Sequence, residues 1–264
     1  MLHERLGTLL KDGLVVAFSG GVDSAFLLWA AERARRDSGG TLVAFTTVSP
    51  SVPAADLDDG SRFAKRLGVE HVMVDSDEMS APAYVKNDLD RCYHCKTELF
   101  TLVERFAEQR DLNWMAYGYT YSDRDDVRPG HVAAVEHGVL SPLADVQITK
   151  EEIRSALRAF DVEMAEKPSS PCLSSRVMTG LEITPKRLRD VEAVESILRE
   201  GGIKVLRVRV CGEGESTFLR IEVADAEIAR TIELREAVVA EGKRRGYRWV
   251  MLDLEGYRTG GGRV

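Results

Sequence analysis

The strongest constraint on this chain is the stretch Leu14-Val15-Val16-Ala17-Phe18-Ser19-Gly20-Gly21-Val22-Asp23-Ser24, together with its continuation to Arg36. Residues 14–18 are apolar and rich in β-branched side chains, the pattern of a strand buried on both faces of a parallel sheet. From Ala25 to Arg36 the periodicity becomes helical. Phe26, Leu27, Trp29 and Ala30 sort to an apolar side and residues 33–36 to a basic one. Residues 19–24 therefore read as a strand-to-helix turn. Adjacent glycines let the backbone approach a ligand, and the helix start offers free N–H groups and a positive dipole end. Such a turn suits phosphate.

No lysine follows the glycines, so the turn is not the G-x-x-x-x-G-K-[ST] loop. It is not the G-x-G-x-x-G of dinucleotide folds either. S-G-G-x-D-S after a strand resembles the pyrophosphatase loop of the N-type ATP pyrophosphatases, which cut ATP between its α and β phosphates and leave AMP on a substrate. The plain alternative is an ordinary glycine-rich βα turn. The strand–glycine–helix context favours the phosphate-cradling reading.

The length allows one large or two modest domains. A net charge of −7 argues against a broad nucleic-acid surface, so no nucleic-acid partner is expected. Met1-Leu2-His3-Glu4-Arg5 lacks the apolar core of a signal peptide, and no apolar run approaches membrane-spanning length. A soluble cytoplasmic protein with no membrane partner is the expectation. Four cysteines in such a chain read as reduced, metal-bound or catalytic.

Residues 42–48 and 70–74 read as further strands, separated by a helix over 52–67 that closes at Gly68. Strand–helix–strand order predicts a parallel sheet with helices on both faces and ligands beyond the carboxyl ends of the strands. Thr46 lies there, placed to meet a nucleotide base. Cys92 and Cys95 form a C-x-x-C at a helix start, where Lys96 and the helix dipole would favour thiolates. Zinc, a cluster, a redox pair and inert cysteines all remain open. Residues 114–119 read as a fourth strand carrying Gly118. In the charged loop 122–130, Asp123, Asp125 and Asp126 could orient Mg²⁺ or a ribose and Arg128 a phosphate, against the alternative of a solvated loop. Glu136 is a candidate metal contact near the phosphates. Thr149 and Glu152 form a capping box opening a helix over 150–160.

Cys172 lies in a proline- and serine-rich loop, residues 166–179, near Lys167 and Arg176, which would favour its thiolate. From Pro185 the pattern changes. A helix over 185–200, alternating runs at 204–211 and 217–223, a helix over 226–241 and a strand at 248–254 describe an α+β unit of antiparallel character. The boundary falls near 179–184, giving domains 1–180 and 181–264. Arg207 and Arg209 share one strand face, either a solvent-facing edge or a basic face beside the nucleotide site. Cys211 reads as structural. Residues 253–260 gather Asp253 and Arg258, and the tail 259–262 reads as flexible.

Set side by side, S-G-G-V-D-S, R-C-Y-H-C-K, D-V-R-P-G, G-V-L-S-P-L, K-P-S-S-P-C-L-S-S-R and L-D-L-E-G-Y-R-T-G resemble one family, in the same order and from Val15 almost to the C-terminus. It is the LarE family, ATP-dependent sulfur transferases that build the nickel-pincer nucleotide cofactor of lactate racemase. The resemblance implies an α/β, parallel-sheet ATP pyrophosphatase (adenine nucleotide alpha hydrolase-like) domain, followed by a smaller α+β catalytic domain. It also implies a homo-oligomer and, as partners, a sulfur donor and other proteins of nickel-pincer biosynthesis. In the implied reaction, ATP with Mg²⁺ adenylates a carboxylate of pyridinium-3,5-biscarboxylate mononucleotide, and a sulfur nucleophile displaces AMP. Ser19, Gly20, Gly21, Asp23, Ser24, Thr46 and Gly118 would form the ATP site.

In one branch of the family the loop cysteine, Cys172 here, gives up its own sulfur and is left as dehydroalanine. In another, three cysteines hold a [4Fe–4S] cluster whose open iron carries sulfide; Cys92, Cys95 and Cys172 match that set. Arg176, Arg209 and Arg258 are candidates for the substrate phosphate, with Glu222 and Asp253 holding metal or positioning the arginines. Cys172, Arg176 and Asp23 are the catalytic candidates. The rivals are a tRNA-thiolating or amide-forming enzyme of the same superfamily, and a non-catalytic ATP-binding regulator.

Overall fold

The computed structural model describes residues 1–125, 128–168, 171–213 and 216–258. Asp126 and the tail 259–262 lie outside the described residues. From the N-terminus run α1 (Leu2–Lys11), β1 (Leu14–Ala17), α2 (Val22–Ser38), β2 (Leu42–Val48), α3 (Ala54–Leu67) and β3 (Glu70–Asp75). A short α4 (Pro82–Val85) and a long α5 (Arg91–Gln109) lead to β4 (Trp114–Tyr117), α6 (Pro129–Glu136), α7 (Pro142–Asp145) and α8 (Lys150–Ala159). Then come α9 (Pro185–Glu200), β5 (Leu206–Glu213), β6 (Ser216–Val223), α10 (Ile228–Glu233), α11 (Arg235–Arg244) and β7 (Val250–Leu252). They form two compact units. The first takes in Met1–Ser49, Ala54–Glu78 and Cys92–Ser170, the second Pro50–Pro53, Met79–Arg91 and Pro171–Val264.

In the first unit β1 lies inside an all-parallel sheet of order β3-β2-β1-β4. Its side chains alternate between two buried layers. Leu14, Val16 and Phe18 join Leu27 and Leu28 of α2 and Leu6 and Leu10 of α1; Val15 and Ala17 join Phe100 and Val103 of α5. Helices cover both faces, which is why β1 reads as a continuous apolar run. The chain leaves β1 for β2 and β3 on one side and later returns to place β4 on the other. That reversal opens a crevice at the carboxyl ends of β1 and β4, where ligands of such sheets bind.

One sequence expectation shifts here. The helix begins at Val22 rather than Ala25, because Gly21 (φ −82°, ψ 163°) is already the last extended residue. The loop is Ser19–Gly21 alone, and Asp23 and Ser24 belong to the first helical turn. Nor is α2 two-sided: Ala25, Phe26, Leu27, Leu28, Ala30, Ala31 and even Glu32 are buried. Glu32 is tolerated because Arg35 and Arg36 donate to both its oxygens.

In the second unit α9 packs on β5 and carries the buried Leu188, Val191, Val194 and Leu198, while β5 supplies the buried Val208 and Val210. β5 and β6 form an antiparallel pair, with Arg209 opposite Arg220. β7, however, runs parallel to β6. The unit is therefore mixed rather than antiparallel, since the helical crossover through α10 and α11 returns the chain to the same end of the sheet. The helix expected over 226–241 breaks at Leu234.

Asn87 is a clamp that pattern reading missed. It is fully buried in the left-handed region (φ 59°), and its Nδ2 donates to the carbonyls of Val177, Met178 and Leu181. Its Oδ1 accepts from Arg91. Asparagine is among the few residues that enter this backbone region readily. Among the described residues, no helix is long and apolar enough to cross a membrane. Asn87→Ala is expected to lower stability by about 2–4 kcal/mol, because it removes the side-chain donor to three carbonyls and strains the backbone. A shifted urea midpoint at unchanged m-value checks it.

Candidate active site

The loop after β1 is tied to itself and to both neighbouring strands. Ser24 Oγ donates to Gly21 O (3.0 Å), which uses its only proton, so Ser19 Oγ donates across 3.2 Å to Ser24 Oγ. Gly20 has φ +70°, and a Cβ there would stand 2.9 Å from Asp56 O. Gly118, at the end of β4, has no room for one at all: its Cβ would fall 2.6 Å from Ser24 N and 2.9 Å from the Asp23 carbonyl carbon. The end of β4 thus lies directly against the first turn of α2. The N–H groups of that turn have no intrahelical partners and face the crevice end of the sheet.

Thr46 supports the loop from the other side. Its hydroxyl donates to Phe18 O at 2.5 Å, so it accepts from His71 Nε2 at 2.8 Å. This assigns the proton of the imidazole to Nε2, and burial pushes the His71 pKa down. The hydroxyl placed near a nucleotide base by the sequence is thus engaged in holding the residue before the loop.

Two carboxylates near the loop have opposite surroundings. Asp23 has no hydrogen-bond or ion-pair partner among the described residues. Burial pushes its carboxyl up from the ordinary value, against the pull of Lys150, Arg154 and Arg128 and with a push from Asp123. Asp123 is buried but saturated: it accepts from Thr120 N (3.0 Å), Thr120 Oγ1 (2.9 Å), Lys150 Nζ (2.5 Å) and Arg128 Nη2 (2.8 Å). Burial alone would raise its carboxyl, but Lys150, the Thr120 amide and Arg128 hold it below the usual range. The sequence reading of Asp123 as a ligand for Mg²⁺ or ribose is corrected by this saturation, and Asp125 is exposed.

Pattern reading also missed Lys150 and Arg154 as site residues. They project from the first turns of α8, whose capping box forms as expected: Thr149 N donates to Glu152 Oε2 and Glu152 N to Thr149 Oγ1. Arg154 donates to the carbonyls of Ala165 and Lys167, and Lys167 Nζ lies 2.9 Å from Asp56 and 3.1 Å from Asp59. On α5, Cys92 is exposed and Cys95 half-buried, one turn apart on one side of the helix. Glu136, at the end of α6, accepts from Tyr93 Oη at 2.7 Å.

In the second unit Cys172 is half-buried at the head of a short turn. Arg176 is fully buried; it pairs with Glu195 (2.9 Å) and donates to the carbonyls of Pro171 and Cys172. Its guanidinium organises the cysteine loop from within and presents no surface to a ligand. Both cations expected beside Cys172 are therefore engaged with carboxylates, Arg176 with Glu195 and Lys167 with Asp56 and Asp59. Arg207 and Arg209 do share a face, but it is neither a solvent edge nor open: both are buried. Arg209 pairs with Glu222 (2.6 Å) and donates to Ser175 O, and Arg207 stacks on Tyr257. Glu222 also accepts from Arg220, while its Oε2 is buried without a hydrogen-bond partner. Asp253 lies 3.7 Å from Arg220, and Arg258 is exposed and paired with Glu255. Cys211 sits within β5 rather than at its end, buried on the arginine face, and burial pushes its thiol up.

Among the described residues no three or more His, Cys, Asp or Glu side chains are gathered as a metal site. The four-stranded parallel sheet with its glycine loop at the switch crevice is consistent with the ATP pyrophosphatase class of α/β folds. The chain belongs to the LarE-like family. It is 38% identical, over 98% of its own length and 97% of the relative's, to an uncharacterized protein of Synechocystis, slr1717. It is 28% identical, over 95% and 90%, to the pyridinium-3,5-bisthiocarboxylic acid mononucleotide synthase of Lactiplantibacillus plantarum. An uncharacterized Methanocaldococcus jannaschii protein, MJ0830, is 26% identical over 93% and 91%. No protein-family model matches the chain.

Asp23→Asn separates stability from function. A carboxyl raised in the folded state binds its proton more tightly there, so its contribution is favourable below the unfolded pKa and lost as pH rises through the folded one. The amide is expected to raise the melting temperature at neutral pH, with the gain vanishing in acid; thermal melts across pH read it. Gly118→Ala is expected to cost about 2 kcal/mol or more, because only backbone surrounds the added methyl. Chemical denaturation measures it.

Proposed function

We propose that this chain is an ATP-dependent sulfur transferase acting on pyridinium-3,5-biscarboxylate mononucleotide. The observation that carries the reading is the loop at the switch crevice: the first N–H groups of α2 and an Asp23 carboxylate that has no hydrogen-bond or ion-pair partner among the described residues and feels the charges of Lys150, Arg154 and Arg128. Backbone N–H groups of residues 22–24 grip the phosphates of ATP. In this reading Lys150 and Arg128 serve the β and γ phosphates. A substrate carboxylate oxygen attacks the α phosphorus, the α–β bridge breaks, and pyrophosphate leaves with the negative charge that these cations stabilise. Mg²⁺ fits Asp23, a hard oxygen ligand that no described residue pairs with, and when bound would supply charge neutralisation to the triphosphate.

The acyl-adenylate then meets sulfur. With Cys172 as donor, its thiolate attacks the acyl carbon and AMP leaves; loss of the Cys172 α-proton to a base and cleavage of its Cβ–S bond give the thiocarboxylate and dehydroalanine. The paired cysteines on α5 favour the second form of the reading. Cys92 and Cys95 share one helix side and suit two thiolate ligands of a [4Fe–4S] cluster, with Cys172 as the third. Such a cluster when bound supplies sulfide at its open iron, which spares Cys172. The exposed Arg258 and the half-buried Arg220, held by Asp253 and by the Glu222 that also takes the buried Arg209, belong to the reading as its candidates for the substrate phosphate. A homo-oligomeric state, a cytoplasmic location and an external sulfur donor belong to it as well.

Anaerobically purified protein is expected to release AMP and pyrophosphate together with a thiocarboxylate when given ATP and the biscarboxylate nucleotide. Cys172→Ala is expected to abolish thiolation while retaining pyrophosphate release. Cys92→Ser divides the two sulfur routes: it removes bound iron and thiolation in the cluster form and leaves a single turnover intact in the sacrificial form. Binding of ATP without any pyrophosphate release would identify a regulator and end the enzymatic reading.

A further inference from the structure

We propose that Asp123 is a positioning residue, holding Lys150 and Arg128 where the leaving pyrophosphate of ATP develops its charge; this rests on the ATP-cleaving reading above. The two oxygens of its carboxylate have separate tasks. Oδ2 is fastened to the chain, accepting from Thr120 N at 3.0 Å and Thr120 Oγ1 at 2.9 Å. Oδ1 faces the cations, with Lys150 Nζ at 2.5 Å and Arg128 Nη2 at 2.8 Å. The carboxylate itself is 3% exposed, whereas each cation keeps 42% of its side chain accessible. A buried anion thus fixes two cations that arrive from different elements, Arg128 from the N-cap of α6 and Lys150 from the first turn of α8.

Thr120 is two residues beyond Gly118, whose backbone lies against Asp23 and Ser24. The anchor is therefore referenced to the phosphate loop through a short rigid path. Without the anion, two like charges would repel and both long side chains would regain rotamer freedom in solvent. With it, the donors are in place before the phosphate arrives, the arrangement by which fixed dipoles and charges lower a barrier. The same saturation that removes Asp123 from consideration as a metal ligand gives it this role.

The test reads nucleotide affinity of the full chain by calorimetry, with ATP and AMP as probes, for wild type, Asp123→Asn, Lys150→Met and the double variant. Asp123→Asn and Lys150→Met are each expected to weaken ATP by about 10- to 100-fold and AMP by less than about 3-fold, since AMP lacks the outer phosphates. The double variant is expected to lose less than the product of the two single losses, because part of the effect of Asp123 runs through Lys150 and only its hold on Arg128 remains to be lost. Thr120→Val, nearly isosteric, guards against a misfolded Asp123→Asn; it is expected to weaken ATP a few-fold in wild type and by less in the Lys150→Met background, where only the hold on Arg128 remains. Equal losses for ATP and AMP, or additive losses in the double variant, overturn the positioning role. If wild type binds ATP and Asp123→Asn binds it equally well, this role fails and the ATP-cleaving reading stands; if wild type does not bind ATP, both fail.

Discussion

The first unit depends on one close approach: the backbone at Gly118 against the backbone of Asp23 and Ser24, with no space for a side chain between. β1 and β4 are neighbours because the strand order turns back on itself, and their carboxyl ends must meet at the crevice this creates. Everything that supports the loop derives from that meeting. Thr46 secures Phe18 from the β2 side, Ser19 and Ser24 close the loop on itself, and Gly20 bends in the left-handed region under Asp56. Among the described residues, the N–H groups of residues 22–24 have no hydrogen-bond partner.

Electrostatics then gives similar side chains different tasks. Asp23 and Asp123 are both aspartates near the loop. One is desolvated without a partner and holds its proton more tightly; the other is desolvated but surrounded by donors and holds it less tightly. The second is held by cations already in the protein, Lys150 and Arg128; the first meets no such partner among the described residues. In the second unit the same logic runs inside the structure. Arg176 and Glu195 are both fully buried, an arrangement whose desolvation cost offsets much of the attraction, so its gain is geometry rather than stability. It holds the carbonyls of Pro171 and Cys172, while Asn87 holds Val177, Met178 and Leu181 a few residues on. The cysteine loop is fixed at both ends by buried polar groups.

Much of this was legible in the residues. Short-range rules reach β1 and the glycine loop, the parallel sheet, the capping box at Thr149 and α9, because a strand buried on both faces, a capping pair and an amphipathic period are local statements. Legibility stopped where a residue's meaning depended on a distant partner. Arg176 reads as a cation for a ligand until Glu195, nineteen residues on, is seen to take it. Arg207 and Arg209 read as an exposed basic stripe, since alternation says which residues share a face but not what covers that face. Asn87 carried only a weak sign, a residue tolerant of the left-handed region, with nothing local to show the three carbonyls it serves.

The glycine loop and the apolar run that builds the first sheet are written in neighbouring residues, and the family in short motifs kept in order along the chain; reading them needs no knowledge of which distant side chains meet. Which charges are available was settled by the folded arrangement alone. Whether an aspartate or arginine meets a ligand or another side chain depends on desolvation and on partners brought together from far along the chain. Charge pairing at a few ångströms is invisible to any rule that counts residues in order.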